Sequence, residues 1–114
     1  MTTRKLDKSE WMTYCNRVSK GLVGKRAEVE VASLELGDQI VAEWVPILGI
    51  VYDPKDDVFE IALEGLDHLI ARPREVYVEE TAEGLVSLEI VDAEDNRQIV
   101  KLKDPLMLPA PEGA

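Results

Sequence analysis

The chain has very few of the residue types that most enzyme chemistry needs. It contains one histidine (His68) and one cysteine (Cys15), and no glycine-rich phosphate loop occurs in its 114 residues. Most hydrolytic, redox and metal chemistry uses at least two convergent His, Cys or carboxylate groups that a third group orients. A single cysteine also excludes an internal disulfide. The sequence therefore predicts no cofactor and no metal, and it argues against catalysis.

Long apolar runs and an excess of basic residues are also lacking. The longest apolar runs, such as residues 45–52, are too short to cross a bilayer, and the N-terminus has no apolar signal-peptide core. The 23 acids outnumber the 13 bases, giving a net charge of −10. Nucleic-acid backbones and anionic membranes both attract Lys and Arg, so we expect neither as a partner. These features predict a cytoplasmic protein.

What is present is the pattern of one α+β domain over residues 1–114. Trp11, Cys15, Val18 and Leu22 recur at helical intervals after an Asp7/Glu10 capping pair, which predicts a helix over 8–21. Residues 26–103 then alternate with period two in short segments joined by turns, which predicts a mainly antiparallel meander of six to seven strands.

A meander of this length is expected to curl into a small barrel or a strongly bent sheet, with the helix packed on it. Pro46 should end one strand or force a bulge, because proline cannot donate to a ladder. The run 47–52 is nearly all apolar, so we expect it to be covered on both faces. Residues 65–74 fit a short strand, a helical turn or a crossover. Residues 104–114 are predicted to be an extended, proline-rich tail.

Several segments resemble one known family. They are RKLDKSEW at 4–11, AEVEVASL at 27–34, GIVYDPKDD at 49–57, LEGLDHLI at 63–70 and DPLMLP at 104–109. Together they resemble small bacterial proteins of domain-of-unknown-function family 5335. The resemblance extends over essentially the whole chain. It implies a bacterial source and a stand-alone domain, and it carries no catalytic residue.

The candidate polar site is the Asp67–His68 pair, with Trp44 near a predicted strand end where it could reach a rim. A Cys-His-Asp hydrolase would bring Cys15 to His68, but Cys15 lies in the apolar stripe of the helix, where a buried and inert thiol is the commoner state. Asp53, Asp56 and Asp57 have the character of a hairpin turn rather than of a calcium loop. A ligand-binding barrel or a minor enzyme with a site around His68 stays an alternative.

The stronger candidate is an apolar contact surface, since adjacent exposed apolar residues usually mark binding sites. We expect its members to be Val41, Val45, Ile47, Tyr77, Leu106, Met107 and Leu108. The sequence therefore favours a non-catalytic binding or assembly module in the bacterial cytoplasm, with a protein partner or a homodimer. A purely structural homodimer is a third possibility, and the tail could instead simply cover this face.

Overall fold

A computed structural model of the protein describes residues 2–107. One helix packs on one eight-stranded antiparallel sheet with the strand order β1-β6-β7-β8-β2-β3-β4-β5. The elements are β1 (Thr2–Leu6), a 3-10 turn (Lys8–Glu10), α1 (Trp11–Lys20), β2 (Arg26–Ser33), β3 (Gly37–Asp53), β4 (Val58–Leu63), β5 (Leu66–Ala71), β6 (Pro73–Thr81), β7 (Gly84–Asp92) and β8 (Arg97–Leu106).

The predicted α+β class and the antiparallel pairing are confirmed, whereas the strand number and the barrel are wrong. There are eight strands rather than six or seven, and within residues 2–107 the sheet does not close, since β1 and β5 each pair on one side only. The sheet is nevertheless strongly bent. β5 lies four strands from β8, which in a flat sheet is roughly 19 Å. The His68 Nε2 of β5 lies 2.5 Å from the Gln98 Oε1 of β8, so the β5 end folds over towards the middle of the sheet.

The bend lies in β3, which runs through Pro46 as one 17-residue strand. Its first part pairs with β2 and its second part with β4, and the register shifts opposite Glu28, between Ala27 and Val29. Trp44 adopts a positive φ of 52° at this irregularity. A bulge bends a strand and increases its twist. The sequence predicts that Pro46 ends the strand or forces a bulge. The strand continues, and it contains a bulge.

The helix prediction is confirmed, with the first turn in 3-10 form. The Asp7 N–H donates to the Glu10 carboxylate at 3.0 Å, as a capping pair should. The apolar face of α1 is buried, and the Ser19 hydroxyl donates to the Ile50 carbonyl and accepts from the Ile50 N–H. These bonds hold α1 on the second half of β3.

The core lies between α1 and the inner face of the bent sheet. Three aromatic rings meet there, with centroid distances of 5.1 Å for Trp11–Tyr52, 5.4 Å for Trp11–Phe59 and 4.8 Å for Tyr52–Phe59. The prediction that the run 47–52 is covered on both faces is wrong, because Leu48 is 65% exposed and Val51 is 45% exposed.

Two further segments differ from the sequence interpretation, and one open choice is decided. Residues 2–6 form an additional strand, whereas residues 66–71 form the end strand β5, which is the strand option for 65–74. The start of the predicted tail belongs to β8, where Leu106 is buried and pairs with Leu85. Within the described residues no helix is long and apolar enough to cross a membrane.

Candidate functional site

His68 is bound within a polar network rather than free for chemistry. The Gln98 side-chain N–H donates to Asp92 Oδ2 at 3.1 Å, which fixes the amide and points its Oε1 at His68. His68 Nε2 must therefore donate to Gln98, because the amide oxygen can only accept. Gln98 and Asp92 are only 7% and 8% exposed, so the centre of the network is buried, whereas His68 is half-buried.

Asp92 extends this network into the turn between β7 and β8. Its carboxylate accepts the backbone N–H groups of Glu94 and Asn96 and the Asn96 side-chain amide. The Ala93 N–H donates to the Arg72 carbonyl, which ties the turn to the corner between β5 and β6. We call His68, Gln98, Asp92 and Asn96 the latch. The latch holds the folded-over end of the sheet on the main part, which is a structural role.

The other two members of the predicted polar site lie apart from the latch. Asp67 is exposed, and it precedes His68 on a strand, so the two side chains point to opposite faces. Trp44 is half-buried at the β3 irregularity, where its carbonyl accepts a hydrogen bond from the Arg26 guanidinium at 3.0 Å. Cavities of about 380, 230, 540 and 140 Å³ in the described part of the chain are all lined by other residues than Trp44, Asp67 and His68.

Cys15 is buried in the core, and burial raises the pKa of its thiol to about 12. The reactive form of cysteine is the thiolate. At neutral pH the Cys15 thiol is therefore protonated and shielded from solvent, which agrees with its place in the apolar stripe of the helix.

The apolar residues predicted as a contact surface do not form one surface. Ile47 and Leu106 are buried at 2% and 4% exposure, and Val45 packs against the core. This corrects the expectation that they face outward; the bulge in β3 changes which side chains point into the core. Val41 is 38% exposed and Met107 67% exposed, while Leu108 lies outside the described residues.

Tyr77 is half-buried on the outer face of the sheet, away from the helix. It pairs with Glu89, and Glu89 pairs with Ile99, so the three form a row across β6, β7 and β8. The shallow cavity of about 380 Å³ lies over this row. The charges around it are matched, with Arg97 3.0 Å from Glu89 and Lys101 3.6 Å from Glu30. The row is consistent with an ordinary solvated sheet face.

The hairpin between β2 and β3 carries the most exposed apolar cluster of the described residues. Leu34 is 94% exposed, Leu36 71%, Ile40 49% and Val41 38%. Ile40 and Val41 follow on β3, whereas the two leucines share the turn, and we call Leu34 and Leu36 the hairpin surface. Hairpin turns are usually polar, so two leucines in one turn are unusual. Large exposed apolar side chains grouped in this way mark contact sites.

The local sequence holds these leucines in a defined loop. Ser33 pairs with Gly37 across a three-residue turn, and Gly37 has a positive φ of 73°. This geometry is common in three-residue hairpins, which need glycine at that position. The Ser33 Oγ accepts the backbone N–H groups of Glu35 and Leu36 at 3.2 and 3.3 Å. The turn is thus ordered by its own hydrogen bonds.

The cavity of about 540 Å³ lies between this turn and the turn that joins β7 and β8. We call it the hairpin groove. Its lining is Val31, Ser33, Leu34, Glu35, Leu36, Glu94 and Asn96. Three apolar residues and the carboxylates of Glu35 and Glu94 share this lining, and Glu94 already pairs with Arg72 at 3.0 Å. Such a groove suits a long basic side chain, whose stem contacts the apolar groups while its head meets Glu35.

The hairpin is acidic as well as apolar. Residues 33–43 contain Glu35, Asp38 and Glu43 and no Lys or Arg. The sequence interpretation included Val41 of this hairpin but missed the two leucines of its turn, Leu34 and Leu36. The available signal was the pair of leucines in that turn.

Comparisons with known proteins give a family and no activity. The model of a family of unknown function, DUF5335, matches residues 2–111. An uncharacterised protein from Aquifex aeolicus (strain VF5) is 44% identical over 110 residues, which cover 96% of this chain and 99% of that protein. No solved structure matches the chain significantly. The resemblance noted in the sequence is confirmed.

Proposed function

We propose that this chain, which belongs to DUF5335, a family of unknown function, is a non-catalytic binding module of the bacterial cytoplasm. It docks on a protein partner through the hairpin surface. The observation that carries the proposal is the turn with Leu34 and Leu36 exposed at 94% and 71% on a loop that hydrogen bonds hold in place. A preordered apolar loop loses little conformational freedom on binding.

The partner follows from the charge of the hairpin. Two copies of this hairpin repel each other, because each carries three acids and no base over residues 33–43. A surface that complements it is apolar at its centre, to accept the leucines, and has Lys or Arg at its border. The hairpin groove then accepts one of those basic side chains beside Glu35.

The alternative centred on His68 is less well supported. The imidazole donates to Gln98, and the Gln98 amide donates to the buried Asp92, so the latch uses the functional atoms that a catalytic His–acid pair would need. The purely structural homodimer is disfavoured at the hairpin, because two acidic copies repel each other.

Site-specific photocrosslinking in the native bacterium tests the proposal. A photoreactive side chain replaces the exposed Gln39 beside the turn, and the matched control probe replaces the exposed Thr13 on the outer side of α1. We expect an adduct with one other protein from position 39 and none of the same mass from position 13. Leu34→Ser should abolish the adduct.

The captured protein is then purified and its binding to the full chain is measured. Binding should weaken as salt increases, and Glu35→Gln should weaken it further, because a basic border on the partner interacts with these acids. An adduct only with a second copy of this chain, or binding that neither salt nor Glu35→Gln changes, would contradict the proposal.

A further inference from the structure

The end strand β5 offers a second contact site, because one side of it has no strand partner among residues 2–107. Leu63 pairs with Leu66 across a two-residue turn, and the register continues with Ile61 opposite His68. Residues that flank such a turn share both ladder hydrogen bonds, and hydrogen-bonded pairs alternate along the strands. The backbone groups of Asp67, Leu69 and Ala71 therefore face away from β4.

The two end strands of the sheet, β1 and β5, differ in how well they are protected from pairing with another chain. The exposed part of β1 is Thr-Thr-Arg-Lys, and basic residues on an end strand discourage pairing with other chains. β5 is Leu-Asp-His-Leu-Ile-Ala and carries no Lys, Arg or Pro. Its exposed Leu69, at 62%, lies in one row with Glu60 and Val51. Asp67 is its one acidic side chain, and β5 lacks the basic residues and proline that protect many edges from pairing.

We infer that β5 pairs antiparallel with β5 of a second copy and forms a two-fold symmetric dimer with a continuous sheet. Residues opposite each other in an antiparallel pair must face the same side, so an isologous pairing centres on a single residue. Centring on Leu69 places the two Leu69 side chains together, on the outer face. Asp67 then lies opposite Ala71 of the partner subunit.

Repulsion between acidic side chains favours the register centred on Leu69 over the one centred on His68. It also favours β5 over the rest of the surface as the place where two copies meet. With Leu69 at the centre, the two Asp67 side chains are about four residues apart along the strands, roughly 13 Å, which exceeds the screening length at physiological salt. Centring on His68 would bring them within roughly 7 Å. A chain with a net charge of −10 is repelled by its own copies over most of its surface. β5, with one acid in six residues, is a segment where this repulsion is weak.

Sedimentation and light scattering of the full chain, from low to high micromolar concentration, test the dimer. We expect the mass to rise with concentration towards twice the 12.7 kDa of one chain. Leu69→Lys should raise the dimer dissociation constant at least about tenfold, because two ammonium groups meet at the symmetry axis. The matched control is Leu48→Lys, since Leu48 is equally exposed at 65% but lies on β3, away from the edge. It should leave the dissociation constant unchanged.

A cysteine scan tests the register. Opposite residues of a hydrogen-bonded pair have Cα atoms about 5.5 Å apart, which a disulfide can bridge. Leu69→Cys should therefore give a disulfide-linked dimer on mild oxidation, whereas Asp67→Cys and Ala71→Cys should not. A monomer at every concentration would overturn the dimer, and cross-linking equally strong at all three positions would overturn the register. Neither result affects the hairpin proposal, whose variants lie on β2–β3.

Discussion

Gly84 is a residue at which the neighbouring backbone leaves no room for a side chain. Its φ is +121°, and a Cβ built there would lie 2.2 Å from the Leu106 carbonyl oxygen. The obstacle is backbone, so it cannot move aside as a flexible side chain can. The close approach allows the end of β8 to pack beside β7, and it explains why the start of the predicted tail is instead strand.

Gly84→Ala should therefore lower the free energy of unfolding by about 1–3 kcal/mol more than a glycine change that meets no obstacle. The matched control is Gly24→Ala, because Gly24 also has a positive φ, of +81°, but a Cβ added to it would have nothing within 4 Å. Urea denaturation of both variants measures the difference. Equal losses would show that the contact with Leu106 is unimportant.

One thiol and two phenols with raised pKa values make the stability of the protein depend on pH in the alkaline range. Burial raises the pKa of the Cys15 thiol to about 12 and that of Tyr52 to about 12, and it also raises the pKa of Tyr14. Tyr52 and Tyr14 in addition donate to Asp57 and Glu80, which favours their protonated forms.

Stability should fall as pH rises from about 9. Each group has a folded pKa above its unfolded value, so its stabilising contribution is complete below the unfolded pKa and is lost as pH rises through the folded pKa. The loss approaches about 1.4 kcal/mol per pH unit for each group. The unfolded thiol ionises first, near 9.0, and the phenols follow near 10.0.

Cys15→Ala should move the onset of this loss from about pH 9 to about pH 10, since only the tyrosines then contribute. Urea denaturation at a series of pH values measures the onset in both proteins. A native protein whose stability is constant from pH 9 to pH 11 would contradict the burial of these groups.

At the scale of elements, the latch connects strands that the ladder leaves apart. β5 and β8 are separated by three strands in the sheet order, and they meet through the His68–Gln98 hydrogen bond. Removing Gln98 leaves buried Asp92 with fewer donors and His68 without its acceptor. A buried polar group that loses its partner costs about 1–3 kcal/mol.

Gln98→Ala should accordingly lower the free energy of unfolding by about 1–3 kcal/mol, whereas Asp67→Ala, at the exposed neighbour of His68, should change it by less than about 0.5 kcal/mol. Amide exchange of β5 should accelerate in Gln98→Ala, because its attachment to β8 is weakened. Unchanged exchange in β5 would show that the latch does not hold the folded-over end.

The elements also differ in how well they can be predicted from the sequence. α1 was predictable because its buried residues recur at helical spacing. β1 was missed because only Leu6 of its five residues is buried, so no alternation marks it. β5 was undecided because two of its three leucine and isoleucine side chains face solvent and only Ile70 enters the core. Patterns of burial predict an element only when one whole face is covered.

For the whole molecule, the sequence indicated one helix on an antiparallel sheet, but it did not indicate whether that sheet closes into a barrel or stays open. Closure depends on whether β1 and β5 meet, and strand periodicity carries no information about that. The candidate site was harder still. Ile47 and Leu106 looked available for contact but complete the core, while Leu34 and Leu36 looked like ordinary turn residues. Exposure of an apolar side chain is a property of the assembled fold.

The most direct test of the hairpin proposal is the dissociation constant between the purified partner and the full chain carrying Leu34→Ser with Leu36→Ser. Both side chains are exposed, so the free energy of unfolding should stay within about 0.5 kcal/mol of the native value. We expect the dissociation constant to rise at least about 30-fold, as when two apolar anchors leave an interface. The control, Leu48→Ser, should leave it unchanged. A folded double variant that binds as tightly as the native chain would show that the hairpin does not carry the function.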